Sequence, residues 1–209
     1  WDHATPVEET LEALDSLVSA GKVRYLGASS MAAWQLSKAL YTAGEHGWHR
    51  FVAMQNHYNL VYREEEREMI PLCIDQGVGL LPWSPLARGL LTGSRTREDR
   101  ATTARAQADP FADRWYSRDE DFDVVDVLLS VSGERGESPA ATALAWILSV
   151  PGVTSPIIGS TRVEHIAEAA GAVDLTLTTE EIERLEAAYI PNSIQGHEQP
   201  APRNMEPSQ

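Results

Sequence analysis

The sequence contains a single cysteine, Cys73, among its 209 residues. One cysteine excludes a disulfide within the chain, and such sparing use of thiols is typical of proteins from a reducing compartment. No apolar run approaches the roughly 20 residues that a membrane-spanning helix needs, and no signal-peptide pattern is present. We therefore expect a cytoplasmic protein without a membrane partner, in which Cys73 is a core residue rather than a nucleophile.

Positive charge is also scarce. The chain has 17 lysines and arginines against 31 aspartates and glutamates, which gives a formal net charge of −14. The only lysines are Lys22 and Lys38, and no block of basic residues is present. These features argue against nucleic acids and acidic membrane surfaces as partners. Any anionic ligand must be held by a few local groups, and no cluster with metal-ligand spacing predicts a metal site.

Hydrophobic residues make up 43% of the chain, which is enough for a buried core. After an initial helix, short apolar runs alternate with amphipathic segments, a pattern that predicts four strand-plus-helix units. Such alternation is typical of an α/β fold, in which helices cover a parallel sheet. The strands are predicted at residues 22–28, 51–54, 78–82 and 155–158.

Local signals predict where several helices begin. Residues 5–8 and 178–181 match the capping-box pattern, and a proline directly after Ser138 is typical of the first position of a helix. A further helix is predicted over residues 64–76, where Pro71 is expected to tighten or kink it. The remaining helices are predicted over residues 31–44, around 124–129 and from Val163.

Two segments lack this alternation. Residues 94–121 consist largely of charged and small residues, with Phe111, Trp115 and Tyr116 as the aromatic anchors. They predict a long mobile loop, which is either a lid over a ligand or a plain surface insertion. The tail over residues 191–209 is rich in proline, glutamine and asparagine, and we expect it to be irregular.

Residues 83–93 follow the third predicted strand, and α/β proteins bind ligands at the carboxyl ends of their strands. Trp83 can stack on a flat ring, and Ser84 can donate a hydrogen bond. Gly89 and Gly93 let backbone N–H groups come close to a phosphate. The alternative is a tight turn that contains an ordinary core tryptophan.

A second candidate anion site lies at residues 159–162, between the last predicted strand and the helix from Val163. The first N–H groups of a helix point at any group placed before it, and the helix dipole favours negative charge there. Arg162 adds a permanent positive charge.

Four strand ends together resemble the aldo-keto reductase family. The matching motifs are Gly-Ala-Ser-Ser at 27–30, Met-Gln-Asn-His-Tyr-Asn at 54–59, Trp-Ser-Pro-Leu-Ala-Arg-Gly at 83–89, and Ile-Ile-Gly-Ser-Thr-Arg at 157–162 with His165 and Glu168. They occur in the family's order. The similarity extends from Trp1 to about Tyr189.

The resemblance implies a (β/α)8 barrel of the TIM type. Of that barrel, this chain is expected to hold the carboxyl-terminal half, as four βα units over residues 1–190 followed by the irregular tail. A half barrel has two open strand edges, which favour dimerisation or aggregation. A small open sheet is the alternative architecture.

The resemblance also implies reduction of small-molecule aldehydes and ketones by hydride transfer from a nicotinamide cofactor, usually NADPH. On this basis Ser29, with Ser30 beside it, and Gln55 bind the nicotinamide carboxamide, and Trp83 stacks on the nicotinamide ring. The expected pyrophosphate loop is Ser84, Pro85, Leu86, Ala87, Arg88 and Gly89. The expected segment for the 2′-phosphate and adenine is Gly159, Ser160, Thr161 and Arg162, with His165 and Glu168.

The family's catalytic aspartate, tyrosine, lysine and histidine lie on the first four strands of the barrel, before the part that this chain resembles. We therefore expect no catalytic residue here, and a truncated enzyme that lacks normal carbonyl reduction by itself. His57 is expected to be a hydrogen-bonding wall residue. The alternatives are a non-catalytic NADP(H)-binding module, including a half barrel that forms a homodimer through its exposed edges, and an unrelated phosphate-binding α/β enzyme.

Overall fold

Helices and strands alternate over residues 7–80, and four more α-helices follow over residues 119–187, so the predicted α/β class is confirmed. The computed structural model describes residues 1–95, 97, 115–116 and 118–196. In these residues the strands are β1 (Leu26–Ser29), β2 (Phe51–Gln55) and β3 (Gly79–Leu80). The α-helices are α1 (Val7–Ser19), α2 (Ala33–His46), α3 (Met69–Gln76), α4 (Asp119–Arg135), α5 (Pro139–Ser149), α6 (Val163–Gly171) and α7 (Thr179–Ala187). Short 3-10 helices cover Glu64–Glu66, Ala87–Thr92 and Ala172–Asp174.

The three strands form one parallel sheet in the order β1-β2-β3. The sheet continues beyond β3 through isolated parallel bridges from Leu80 to Val153 and from Trp83 to Ile157. The strand predicted at residues 155–158 is therefore not a regular strand in the structure. Pro156 explains the interruption, because its nitrogen carries no hydrogen to donate to a ladder.

One face of the sheet packs against the helices. Ala28, Met54 and Leu80 are aligned across the three strands and are 6%, 0% and 0% exposed. Ser29 and Gln55, which alternate with them along β1 and β2, are exposed. This alternation buries the apolar residues under the helices and leaves polar side chains at the strand ends on the open face.

The helix starts were predicted with mixed success. The Ser138 hydroxyl accepts a hydrogen bond from the Ala141 N–H, and Thr178 forms the expected capping box with Glu181, so both predictions are confirmed. The prediction at residues 5–8 is wrong, because Pro6 is the N-cap and makes no side-chain capping bond. The Thr5 hydroxyl instead donates to the Asp2 carboxylate at 2.6 Å.

The helix predicted over residues 64–76 begins later, at Met69, after the 3-10 turn Glu64–Glu66. Pro71 consequently lies in the first turn of α3, where no intrahelical partner for its nitrogen is required. Cys73 on this helix is 0% exposed, and burial together with the Glu65 carboxyl raises the pKa of its thiol to about 12. Its predicted place in the core is confirmed.

Most of the predicted loop at residues 94–121, including Phe111, lies outside the described residues. Residues 191–196 of the tail form neither helix nor strand. No helix among the described residues is long and apolar enough to cross a membrane.

Candidate functional site

The carboxyl ends of β1 and β2 lie side by side. The Ser29 hydroxyl donates to the Gln55 carbonyl oxygen at 3.1 Å, and the Ser30 N–H donates to the same oxygen at 3.0 Å. Ser30 has a left-handed φ of +25°, so the chain turns sharply as it leaves the strand. These contacts hold Ser29 and Ser30 against the backbone of Gln55 at the carboxyl ends of the two strands.

Trp83 follows β3 and is held beside the ends of β1 and β2. Its backbone N–H donates to the Asn56 carbonyl oxygen at 2.8 Å, and its indole Nε1–H donates to the Ser30 hydroxyl at 3.1 Å. The structure thus brings Ser29, Ser30, Gln55 and Trp83 together at neighbouring strand ends.

The indole of Trp83 belongs to a parallel stack of three rings, in which His57 lies between Trp83 and Tyr62. The ring centroids of His57 and Tyr62 are 4.1 Å apart, those of His57 and Trp83 are 4.3 Å apart, and each pair is 9° from parallel. We call these three side chains the ring stack. Sequence reasoning missed Tyr62, because nothing in the spacing of residues 57, 62 and 83 indicates that their rings meet.

His57 is the central ring and is 1% exposed. Its Nε2 makes a short hydrogen bond with the Tyr116 hydroxyl. Burial, together with the positive charge of Arg88, lowers the pKa of His57 to about 3. The imidazole is therefore neutral near pH 7, which agrees with the predicted wall residue and not with a proton donor.

The loop after Trp83 is built from left-handed residues. Ser84, Ala87 and Arg88 have φ values of +53°, +46° and +53°, although none of them is glycine. Two tight turns follow, with the Ala87 N–H donating to the Ser84 carbonyl oxygen and the Gly89 N–H donating to that of Leu86, both at 2.9 Å. Such strained backbone is concentrated at ligand-binding turns, where it presents N–H groups to anions.

Trp115 and Tyr116, two of the predicted anchors of the 94–121 segment, pack on this loop. The Trp115 ring centroid is 5.5 Å from that of Trp83, and the Arg88 guanidinium lies 5.3 Å from the centre of the Trp115 ring. The described part of the segment therefore contacts the candidate site. The choice between lid and insertion concerns residues outside the described ranges.

The second candidate segment, residues 159–162, precedes α6. The Arg162 N–H donates to the Ser160 hydroxyl oxygen at 3.0 Å, which forms a compact turn at the start of the helix. The Arg162 side chain is 66% exposed, and its guanidinium lies 3.7 Å from the Glu164 carboxylate. Gly159, Thr161 and His165 are exposed as well.

Glu168, the last residue predicted for this segment, contacts the start of α5. Its carboxylate accepts a hydrogen bond from the Ser138 hydroxyl, the same hydroxyl that caps α5. It lines a cavity of about 440 Å³ together with Glu137 and Asp174. This contact was not foreseen, because it joins residues that are 30 positions apart. No group of histidine, cysteine, aspartate and glutamate side chains in the described ranges is arranged to hold a metal ion.

Comparisons with a family model and with individual known proteins agree on one family. The family model described as "Aldo/keto reductase family" matches residues 1–190. The versiconal hemiacetal acetate reductase of Aspergillus parasiticus is 43% identical over 195 residues, which cover 92% of this chain and 56% of that protein. A putative aryl-alcohol dehydrogenase of Schizosaccharomyces pombe is 43% identical over 201 residues, covering 94% of this chain and 55% of that protein.

An aldo-keto reductase of Fusarium vanettenii is 44% identical over 198 residues, which cover 94% of this chain and 52% of that protein. The chain thus spans about half the length of the curated relatives it matches. The four motifs, the parallel sheet and the family match all agree, and the chain belongs to the aldo/keto reductase family.

Proposed function

We propose that this chain carries the cofactor cradle of an NADP(H)-dependent reductase of small-molecule carbonyl compounds. The observation that supports it most strongly is the fixed indole of Trp83, bonded to Ser30 at 3.1 Å beside the paired ends of β1 and β2. A rigid aromatic plate with hydroxyl and amide groups along one side suits a planar ring that carries a carboxamide.

The residues present fit such a cofactor. In this proposal Trp83 stacks on the nicotinamide, Ser29 and Gln55 bind its carboxamide, and the 84–89 loop holds the pyrophosphate. A side chain added at Gly89 would meet no atom within 4 Å, so the loop has open space in front of it. Arg162 binds the 2′-phosphate, for which an exposed guanidinium is well suited. The bound cofactor supplies the hydride.

Family membership implies a (β/α)8 barrel of the TIM type, and three parallel strands covered by helices are consistent with part of such a barrel. We propose that the described strands form its carboxyl-terminal half. Carbonyl reduction also needs a proton donor. Burial raises the pKa of Tyr58, Tyr62 and Tyr116 above the ordinary tyrosine value, which makes each a poor donor. We therefore assign the proton donor to the other half of the barrel.

Titration with NADPH and NADH, followed through tryptophan fluorescence, tests the proposal. We expect saturable quenching that is stronger for NADPH and that is lost in Trp83→Leu. Trp34→Leu is the matched control, because Trp34 is 55% exposed on α2 and should change the signal but not the affinity. A folded sample that responds to neither nucleotide, or a Trp83→Leu variant with unchanged affinity, would contradict the proposal.

The second candidate is a non-catalytic NADP(H)-binding module that forms a homodimer. It is favoured by the position of β1 at one end of the sheet, with Gly27 and Ser29 exposed on the open face. A sedimentation experiment separates the two candidates. A stable dimer of the 209-residue chain that binds NADPH supports the module, and a monomer that binds NADPH supports the cradle of a larger enzyme.

A further inference from the structure

The irregular segment over residues 190–196 lies across the candidate site, and we call it the strap. We propose that the strap is a positioning element for Trp83, holding the ring stack in the orientation that binds the cofactor ring. The cofactor part of this inference depends on the proposed function. The structural link between the strap and the ring stack does not.

The strap is anchored where it leaves α7. The Tyr189 hydroxyl donates to the Glu64 carboxylate at 2.6 Å, and the Asn192 N–H donates to the same oxygen at 2.7 Å. The Arg118 guanidinium donates to the carbonyl oxygens of Ile190 and Pro191 at 3.0 and 3.2 Å. Glu64 and Arg118 are far from the strap in the sequence, so tertiary contacts fix the start of the strap.

Glu64 is suited to this role, because it is 8% exposed and remains charged. Burial alone would raise its pKa, but hydrogen bonds from Tyr189 and Asn192 and the nearby Arg67 guanidinium together lower it. A buried carboxylate that accepts several hydrogen bonds makes a strong anchor, since charge-assisted bonds are about twice as strong as neutral ones.

The far end of the strap runs along the edge of the ring stack. The Gln195 N–H donates to the Tyr62 hydroxyl at 2.8 Å, and that hydroxyl donates back to the Gln195 carbonyl oxygen at 3.3 Å. Gly196 follows with a φ of +90°. A Cβ atom added to Gly196 would lie 3.2 Å from Trp83 Cζ2 and 3.6 Å from His57 Cβ. The strap backbone therefore bonds to the Tyr62 hydroxyl at one end of the ring stack and lies close to Trp83 and to the Cβ of His57 at the other.

These contacts restrict Trp83 from three directions. His57 covers one face of the indole, Ser30 accepts its Nε1–H, and Gly196 lies against its six-membered ring. A ring that is already held in place loses little conformational entropy when a ligand stacks on it. Departure of the strap would also leave the Tyr62 hydroxyl, on a side chain that is 0% exposed, without the Gln195 bonds.

The test uses the full 209-residue chain and two variants. Tyr62→Phe keeps the stacked ring and removes both bonds to Gln195. Gly196→Ala adds a Cβ against Trp83 at a φ that alanine rarely adopts. Tyr41→Phe, on an exposed ring of α2, is the matched control.

The first readout needs no nucleotide. We expect both variants to speed amide hydrogen exchange across residues 190–196 by roughly tenfold and to shift the indole N–H resonance of Trp83, identified by its absence in Trp83→Leu. The second readout is nucleotide affinity. We expect both variants to weaken NADPH and NADH by the same factor, roughly three- to tenfold, because the strap contacts the nicotinamide end of the site.

The outcomes separate the two proposals. Unchanged exchange and an unchanged Trp83 resonance in Tyr62→Phe would overturn the link between the strap and the ring stack. Altered exchange and resonance with unchanged affinity would overturn the positioning role. Failure of the wild-type chain to bind either nucleotide would reject the proposed function, while the first readout still decides whether the strap holds the ring stack.

Discussion

The side-chain amide of Asn59 donates a hydrogen bond to the carbonyl oxygen of Ser84, with 2.9 Å between the two atoms. The Oδ1 of the same amide accepts the Val61 N–H at 3.1 Å. Asn59 is 0% exposed and follows β2, whereas Ser84 begins the loop after β3. One buried side chain thus joins two strand ends and holds Ser84 in its left-handed conformation.

Replacing Asn59 by alanine should lower the free energy of unfolding by about 1–3 kcal/mol, because the buried Val61 N–H loses its partner and the Ser84 carbonyl oxygen loses one of its two donors. Nucleotide affinity should fall as well, since the 84–89 loop is no longer held. Urea unfolding and a fluorescence titration measure the two effects. Gln76→Ala, a surface amide bonded to Arg50, is the control and should change neither. A stable Asn59→Ala variant with normal affinity would show that the 84–89 loop keeps its conformation without the Asn59 hydrogen bond.

Glu65 should make stability depend on pH. Burial raises the pKa of this carboxyl from 4.5 to about 7, and the nearby Glu64 adds to the shift. Below pH 4.5 the carboxyl is protonated in both the folded and unfolded states, and its contribution is fully present. As pH rises through about 7, the unfolded state has already lost its proton and the folded state must ionise a buried group. The free energy of unfolding should therefore fall by about 3 kcal/mol between pH 4.5 and about pH 7.

Glu65→Gln removes this fall, because glutamine is neutral at every pH. Urea unfolding at pH 4.5 and pH 8 gives the free energy of unfolding of both proteins. The value for the variant minus that for the wild type should rise by about 3 kcal/mol from the lower to the higher pH. Glu45→Gln, an exposed residue of α2, should follow the wild type. Parallel pH profiles for the wild type and Glu65→Gln would mean that the carboxyl is hydrated in solution.

Arg162 should distinguish the two nicotinamide cofactors. Arg162→Gln removes a positive charge, and we expect NADPH affinity to fall by roughly tenfold while NADH affinity changes little, because only NADPH carries the 2′-phosphate. The fluorescence titration provides the measurement, repeated at high salt, where the difference should shrink. Arg24→Gln, an exposed arginine before β1, is the charge-matched control. Equal losses of affinity for both nucleotides would show that Arg162 does not bind the 2′-phosphate.

Local sequence signals predicted much of the fold. The caps at Ser138 and Thr178 were predictable because a cap involves only neighbouring residues. The cap at Thr5 failed because Pro6 stays extended, with a ψ of 137°, and is itself the N-cap, so Thr5 lies one residue too early to cap the helix. Strand ends were found because apolar runs stop at polar residues, and those runs record burial directly.

The missed parts of the site depend on contacts between distant residues. His57 meets Tyr116 across 59 positions, and Tyr62 meets Gln195 across 133. The strap has no hydrophobic period, so nothing in its sequence indicates which surface it covers. Sequence patterns of period 2 and 3.6 predict regular elements, and an irregular segment that is held by hydrogen bonds to its backbone leaves no such pattern.

Pro156 also affects how two copies of this chain could meet. Another strand adding beside residues 153–157 would find no hydrogen to bond at that nitrogen, and the ladder would be interrupted there. The outer side of β1 contains no proline over Leu26–Ser29 and has no neighbouring strand within the described residues. Strand addition by a second copy would therefore meet an interruption beside residues 153–157 and none beside β1.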